Sequence, residues 1–180
     1  QQFSVVVSNP NPNLVAHVII SKGPLTGAPI AEGCQQPGTL SLPDNFVDAA
    51  LVPPKGLVVF NLPSRNANAT LLETLAYRVG SNIPMTVYQF NPLENVQVFS
   101  NDASVLLPTT SAGQNYYIMS RAQFSDALRG FMTVVGISDE TEVSVTPTAP
   151  IYPGKNVEGM EAGETRTFIL SRFDVLNLEP

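Results

Sequence analysis

The five residues Glu142-Val143-Ser144-Val145-Thr146 alternate strictly between polar and apolar side chains. Successive side chains of a β-strand point to opposite faces, so Val143 and Val145 share one face and the three polar residues share the other. One buried face beside one wetter face is typical of an antiparallel sandwich, and not of a parallel sheet that helices cover on both sides. The run therefore predicts a half-buried antiparallel strand.

Short Val- and Thr-rich runs of the same kind recur along the chain, separated by clusters of Asn, Pro, Gly, Asp and Ser. The predicted strands cover residues 3–8, 14–21, 57–61, 74–80, 85–91, 115–120, 131–137, 142–146 and 166–170. A turn is predicted at 9–13 and a hairpin through 81–84. In 74–80 the alternation predicts a shared face for Leu75, Tyr77 and Val79. Only two short helices are expected, at 122–129 before Gly130 and near 68–73.

The length of 180 residues is enough for one domain or for two small β modules. Sixteen prolines are spread along the whole chain, where they would end strands and protect sheet edges. We therefore predict an all-β, antiparallel, sandwich-like fold with few short helices, built as one or as two packed β modules. Residues 1–180 would form a single β-rich domain or a fragment of a larger region. The less regular spacing before Pro53-Pro54 marks that dipeptide as a sub-boundary if the chain is divided.

Composition argues against several classes of function. The net charge is −6, from 15 acidic and 9 basic residues, and no stretch concentrates Lys or Arg. A nucleic acid partner needs clustered positive charge, so it is not expected. No run approaches the roughly 18 apolar residues of a membrane span. The chain begins at Gln1 without a Met, which we interpret as a mature end after signal removal or as the limit of an expressed piece.

The sequence predicts neither an enzyme nor a cofactor site. It has no Gly-rich phosphate loop, no GxSxG elbow and no HExxH motif. The single His17 lies within a predicted strand and is interpreted as structural. The single Cys34 cannot form an internal disulfide, so it is either a small buried side chain or pairs outside this chain. A carboxylate-dependent hydrolase remains a remote alternative, with acids such as Glu142 near the turn at 139–140.

Two regions supply the candidate binding or structural residues, which are Asn101, Asp102, Tyr88 and Asn91. In the loop 100–108, the side chains of Asn101 and Asp102 are expected to bond to nearby backbone and to direct the apolar residues 105–107 toward the core. In strand 85–91, Tyr88 and Phe90 are expected to pack on one sheet face with Thr86, as part of the core or of a major apolar layer, and an exposed Tyr88 ring would instead indicate binding. Asp102 and Asp139 are the candidate calcium ligands.

The segments 76–93 (AYRVGSNIPMTVYQFNPL), 100–108 (SNDASVLLP), 116–118 (YYI) and 131–145 carry a family resemblance. Over residues 76–146 the chain resembles the N-terminal domain family of IgGFc-binding proteins, and in particular its bacterial secreted and surface members. The resemblance implies an extracellular location, a β-rich structure and binding to a protein or matrix partner, with no catalytic motif to carry over. In that family a second block usually follows the DVLNLE region (174–179), which would make this chain a fragment, a processed piece or one half of a domain.

These observations predict an extracellular or cell-surface adhesion or scaffold module. Its expected partner is a protein, the extracellular matrix, or other copies or parts of the same protein. A carbohydrate-binding module that takes a glycan is the alternative. The chain has no Trp and only five Tyr with which to build a sugar platform.

Overall fold

The computed structural model describes residues 3–25, 44–94, 96, 101–121, 123–125 and 129–180. These residues form twelve strands and one 3₁₀ turn, Thr109–Ser111. The strands are β1 Phe3–Ser8, β2 Ala16–Ser21, β3 Phe46–Val52, β4 Leu57–Leu62, β5 Leu71–Thr74, β6 Arg78–Ser81, β7 Thr86–Asn91, β8 Asp102–Leu106, β9 Met132–Val135, β10 Thr141–Val145, β11 Arg166–Leu170 and β12 Asp174–Leu178. Every pair of these strands is antiparallel, which confirms the predicted all-β class.

The chain divides into two compact units, and each contains segments that are distant in sequence. The first unit combines Gln1–Ser64 with Tyr77–Leu107, and the second combines Arg65–Ala76 with Pro108–Pro180. The dipeptide Pro53-Pro54 follows β3 and lies inside the first unit. Whether the chain is one domain or part of a larger region stays a prediction. Cys34 lies outside the described residues.

The first unit has a sandwich-like core between two sheets. A four-stranded sheet has the order β4-β1-β7-β8, and a three-stranded sheet has the order β3-β2-β6. Val5 and Val7 of the first sheet and Val18 and Ile20 of the second are at most 1% exposed and belong to one apolar cluster. Removing this apolar area from water is the main favourable contribution to the stability of the unit.

The second unit has its own core. Its sheets have the orders β5-β12-β9 and β10-β11, and Val145, Leu170, Leu176 and Leu178 are buried together. In β10, Val145 is buried and Val143 is half-buried, whereas Glu142 and Ser144 are exposed. The alternation seen in 142–146 therefore gives the two faces that were predicted.

The turn at 9–13 is confirmed and is built by asparagine side chains. The Asn9 side-chain oxygen accepts a hydrogen bond from the Asn11 N–H (3.0 Å), and that of Asn11 accepts from the Asn13 and Leu14 N–H groups (2.9 Å each). The Asn9 amide also donates to the carbonyls of Leu14 (2.7 Å) and Val52 (3.0 Å). Such side-chain hydrogen bonds compete with the backbone hydrogen bonds between neighbouring strands, which is why β1 ends here.

The prediction of one strand over 74–80 was wrong, and so was that of a helical piece near 68–73. β5 ends at Thr74 and β6 begins only at Arg78. Between them, the N–H groups of Leu75 and Ala76 both donate to the Phe173 carbonyl, at 3.1 and 3.0 Å. Because β5 pairs with β12, residues 71–74 are extended and not helical.

Predictions for three other segments also differ from the structure. The stretch 81–84 does not close a hairpin, because β6 pairs with β2 and β7 pairs with β1. Residues 115–120 belong to none of the strands in the described chain, whereas 102–106 form β8 and not a capped loop. The predicted helix 122–129 lies partly outside the described residues, and 123–125 are not helical.

Candidate protein-binding face

The register of the four-stranded sheet aligns one side chain from each strand. Val6 of β1 lies opposite Val59 of β4 and Tyr88 of β7, and Tyr88 lies opposite Val105 of β8. We call Val59, Val6, Tyr88 and Val105 the outer row. Val5 and Val7, which flank Val6, point into the core, so the outer row lies on the opposite face of the sheet.

The outer row is apolar and accessible. Val59 is 40% exposed, Tyr88 39% and Val105 53%, whereas Val6 in the middle is half-buried. Leu57, which is 60% exposed, lies two residues before Val59 on the same face of β4. The row joins β-branched side chains to one aromatic ring across the full width of the sheet.

Tyr88 is therefore not a core residue, so the core alternative of the prediction was wrong, and its ring lies instead in the apolar outer row. The core side of β7 is set by Val87, which lies opposite Val7 of β1 and packs against the first core. Phe90 is half-buried on the outer face opposite Ser4, and Thr86 lies on that face as well. The alternation that links Tyr88, Phe90 and Thr86 was right, but the face they share is the outer one.

Asn91 and Asp102 lie opposite each other where β7 ends and β8 begins. Both are exposed, and so is Asn101 just before β8. Among the described residues no hydrogen bond is formed by the Asn101 or Asp102 side chain, so the expected capping bonds are not found. The backbone of Asp102 pairs instead in the ladder. The four candidate residues thus come from one strand pair, with Tyr88 three residues along β7 from Asn91.

Asp102 and Asp139 are candidate calcium ligands at two separate positions of the chain. Asp102 lies in the first unit, while Asp139 lies in the second. One Asp139 oxygen accepts a hydrogen bond from the Arg172 N–H (2.9 Å), and the other lies 3.9 Å from the Arg172 guanidinium. Within the described ranges no group of three or more His, Cys, Asp or Glu lies close enough to hold a metal ion.

Sequence reasoning found Tyr88 but missed the valines beside it. Val59, Val6 and Val105 come from strands that are far apart in sequence, and only the register brings them into one row. Alternation along β4 and β8 was the local signal for Val59 and Val105. Alternation alone does not show which face of a strand is buried.

Residues 102–180 match the sequence profile of the family described as IgGFc binding protein. The chain resembles the IgGFc-binding family. The match shares 102–146 with the stretch on which the resemblance was recognised and continues to the C-terminus, whereas 76–101 lie outside it. No curated protein and no solved structure matches the chain.

The match to the IgGFc-binding family covers part of the candidate face. The matched range begins at β8 and contains Val105, while Tyr88 lies on the neighbouring strand outside it. No helix in the described part of the chain is long and apolar enough to cross a membrane.

Proposed function

We propose that this chain is an extracellular or cell-surface module that binds a protein partner through the outer row. The observation that carries the proposal is the exposure of Tyr88, Val59 and Val105 on the regular face of a four-stranded sheet. Contiguous apolar surface on a soluble domain is typical of interaction sites. A tyrosine at the centre of such a patch is among the residue types that contribute most to protein binding.

The chemistry of this face favours a protein over a glycan. The residues of the outer row carry no charge, and the next row along the sheet contains Leu57 beside the hydroxyl groups of Ser8 and Thr86. An apolar centre with polar groups around it is the usual arrangement of a protein interface. One tyrosine between valines offers little flat aromatic surface for a sugar ring. Matrix proteins and soluble proteins share this chemistry, so both belong in the test.

The experiment measures binding of the purified chain to immobilised IgG Fc, fibronectin and collagen, with a glycan array in parallel. We expect one protein probe to bind and Tyr88→Ser to weaken binding by at least about tenfold, which corresponds to about 1.4 kcal/mol. Tyr152→Ser is the matched control, because Tyr152 is 62% exposed but lies in the second unit.

Each other result has a definite meaning. Protein binding that survives Tyr88→Ser would place the site elsewhere on the chain. Binding to glycans alone would favour the carbohydrate-binding alternative. Glycoside hydrolysis by the purified chain that is lost in Glu142→Gln would favour the hydrolase.

A further inference from the structure

The free edge of β8 is an unusually accessible template for another strand. β8 is the last strand of the four-stranded sheet, and among the described strands only β7 pairs with it. All five of its residues are exposed. Edge strands are commonly protected by charged residues or by proline within the strand. Here the single charge, Asp102, stands at the first position, and Pro108 comes after the strand has ended.

Residues 116–119 are a second exposed feature of the described chain, in which the Tyr116 hydroxyl accepts a hydrogen bond from the Gly113 N–H. Tyr116, Tyr117, Ile118 and Met119 are consecutive and are 67%, 105%, 51% and 98% exposed. A run of four exposed apolar residues is unfavourable in water unless it has a function. Their backbone makes no hydrogen bond to another backbone group of the described chain, and none of them has a positive φ. Aromatic and β-branched residues are well suited to strands.

We propose that the segment 116–121 of one copy adds as an antiparallel strand to the β8 edge of a second copy. Strand addition would satisfy the free backbone groups of both elements and cover their apolar side chains. The pairing needs no external partner, and it uses the edge of β8 whereas the function proposed above uses the face of the sheet, with Val105 common to both.

Side-chain complementarity selects one register. With Ile118 opposite Val105, Arg121 lies opposite Asp102 and Tyr117 lies opposite Leu106. This register places opposite charges at one end of the pair, joins two β-branched residues at Ile118 and Val105 and sets the Tyr117 ring against Leu106, which are favourable cross-strand combinations. Each copy carries both elements, so the exchange can be reciprocal in a symmetric dimer.

The first test is disulfide trapping in a Cys34→Ser background. One preparation carries Val105→Cys and a second carries Ile118→Cys; they are mixed, oxidised and separated on a non-reducing gel. Residues that lie opposite each other have Cβ atoms about 4.5–5.5 Å apart, near the range a disulfide spans. We expect the mixed dimer to dominate over either homodimer. A control mixture pairs Val105→Cys with Ile169→Cys, since Ile169 is also exposed (56%). A yield equal to this control would overturn the pairing.

The second test is sedimentation of the unmodified chain over a range of concentrations. We expect reversible association that both Ile118→Lys and Val105→Glu abolish, and that returns when these two variants are mixed because the new charges attract. Far-UV circular dichroism checks that each variant is folded, as expected for changes at exposed positions. A monomer at every concentration up to about 1 mM, which corresponds to a binding energy weaker than about 4.1 kcal/mol, would overturn the proposal. Association that both substitutions leave unchanged would do the same.

Discussion

Tyr88 and Phe60 are aromatic residues of one sheet with opposite orientations, and their exposed fractions are 39% and 3%. Removing the buried ring leaves a cavity, so Phe60→Ala should lower the free energy of unfolding by about 3–5 kcal/mol. Tyr88→Ala should cost no more than about 1 kcal/mol, because its ring already contacts water. Urea unfolding of the two variants measures the difference. Equal losses would show that the ring of Tyr88 is packed as tightly as that of Phe60.

Asn9 is the polar side chain on which the first turn depends. It is 1% exposed, and Asn9→Ala would remove the partners of the Leu14 and Val52 carbonyls and of the Asn11 N–H. Leaving buried polar groups unsatisfied costs about 1–3 kcal/mol each, and we expect a total loss of about 3 kcal/mol in thermal or urea unfolding. Asn13→Ala is the control, because Asn13 takes part in the turn through its backbone N–H. If Asn13→Ala lost as much stability as Asn9→Ala, the loss would come from the turn propensity of asparagine and not from the buried hydrogen bonds of Asn9.

Glu164 gives the second unit a contribution to stability that depends on pH. The Glu161 N–H and the Arg166 guanidinium bond to its carboxylate and hold the pKa of Glu164 below its usual value. A lowered folded pKa means that the contribution is complete above the unfolded value, about 4.3. It is lost as the pH falls through the folded value.

The advantage of the native chain over Glu164→Gln should therefore be present at pH 7 and disappear in strongly acidic solution. Urea midpoints at both pH values measure it, and Glu158→Gln serves as the control at an exposed acid. A gap between native chain and Glu164→Gln that is unchanged in acid would contradict the ionic origin of the effect.

The strand β11 shows alternation of burial between neighbours. Leu170 is fully buried, whereas Ile169 beside it is 56% exposed. Leu170→Ala should lower the free energy of unfolding by about 2–5 kcal/mol through lost burial and a residual cavity. Ile169→Ala should change it by less than about 1 kcal/mol. Chemical denaturation of both variants tests this, and the opposite ranking would mean that β11 presents its other face to the core.

Alternation of polar and apolar residues predicted the strands well where one face is clearly apolar. It failed where pairing with a distant strand decides whether a segment is extended. β10 was visible in the sequence because its valines alternate with polar residues, and β11 because it is a short run of residues that favour strands. β8 was missed because Asp102 and Ser104 are typical of turns, and it is extended because it pairs with β7. The break after β5 depends on the Phe173 carbonyl, about a hundred residues further along the chain.

The candidate site could be predicted only in part for the same reason. Strand β7 carries apolar residues on both faces, with Val87 on one side and Tyr88 and Phe90 on the other. Its sequence therefore shows which residues share a face, but it does not show which of the two faces is buried. The pairing of Val87 with Val7 of β1 decides this, and that information lies in another strand.

A short segment leaves the first unit and supplies a strand to the second. Residues 65–76 interrupt the first unit and supply β5, which pairs with the central strand β12 of a three-stranded sheet. The neighbouring residues are bonded as well, since the Glu179 N–H donates to the Thr70 hydroxyl (3.0 Å) and the Asn177 amide donates to the Ala69 carbonyl (2.8 Å). The range that matches the IgGFc-binding family, 102–180, does not contain this strand.

A piece that contains only residues 108–180 should therefore fold poorly, and a synthetic peptide of residues 65–76 should restore its structure. Without β5, the edge of β12 is open and Leu176, which lies opposite Leu72, loses part of its cover. Strand addition by the peptide replaces the ladder and the bonds to Thr70 and Ala69. We expect the peptide to increase the dispersion of the amide NMR signals of the piece and to slow its cleavage by trypsin.

The matched control is the same peptide with Leu72→Pro. The Leu72 N–H donates to the Lys155 carbonyl at 2.9 Å, and proline cannot donate this bond. This peptide should leave both the NMR spectrum and the cleavage rate unchanged, because the strand can no longer connect β12 to the segment around Lys155. If the piece resisted trypsin as well as the full chain without any peptide, β5 would be dispensable. The second unit would then be held together by β9, β10, β11 and β12 alone.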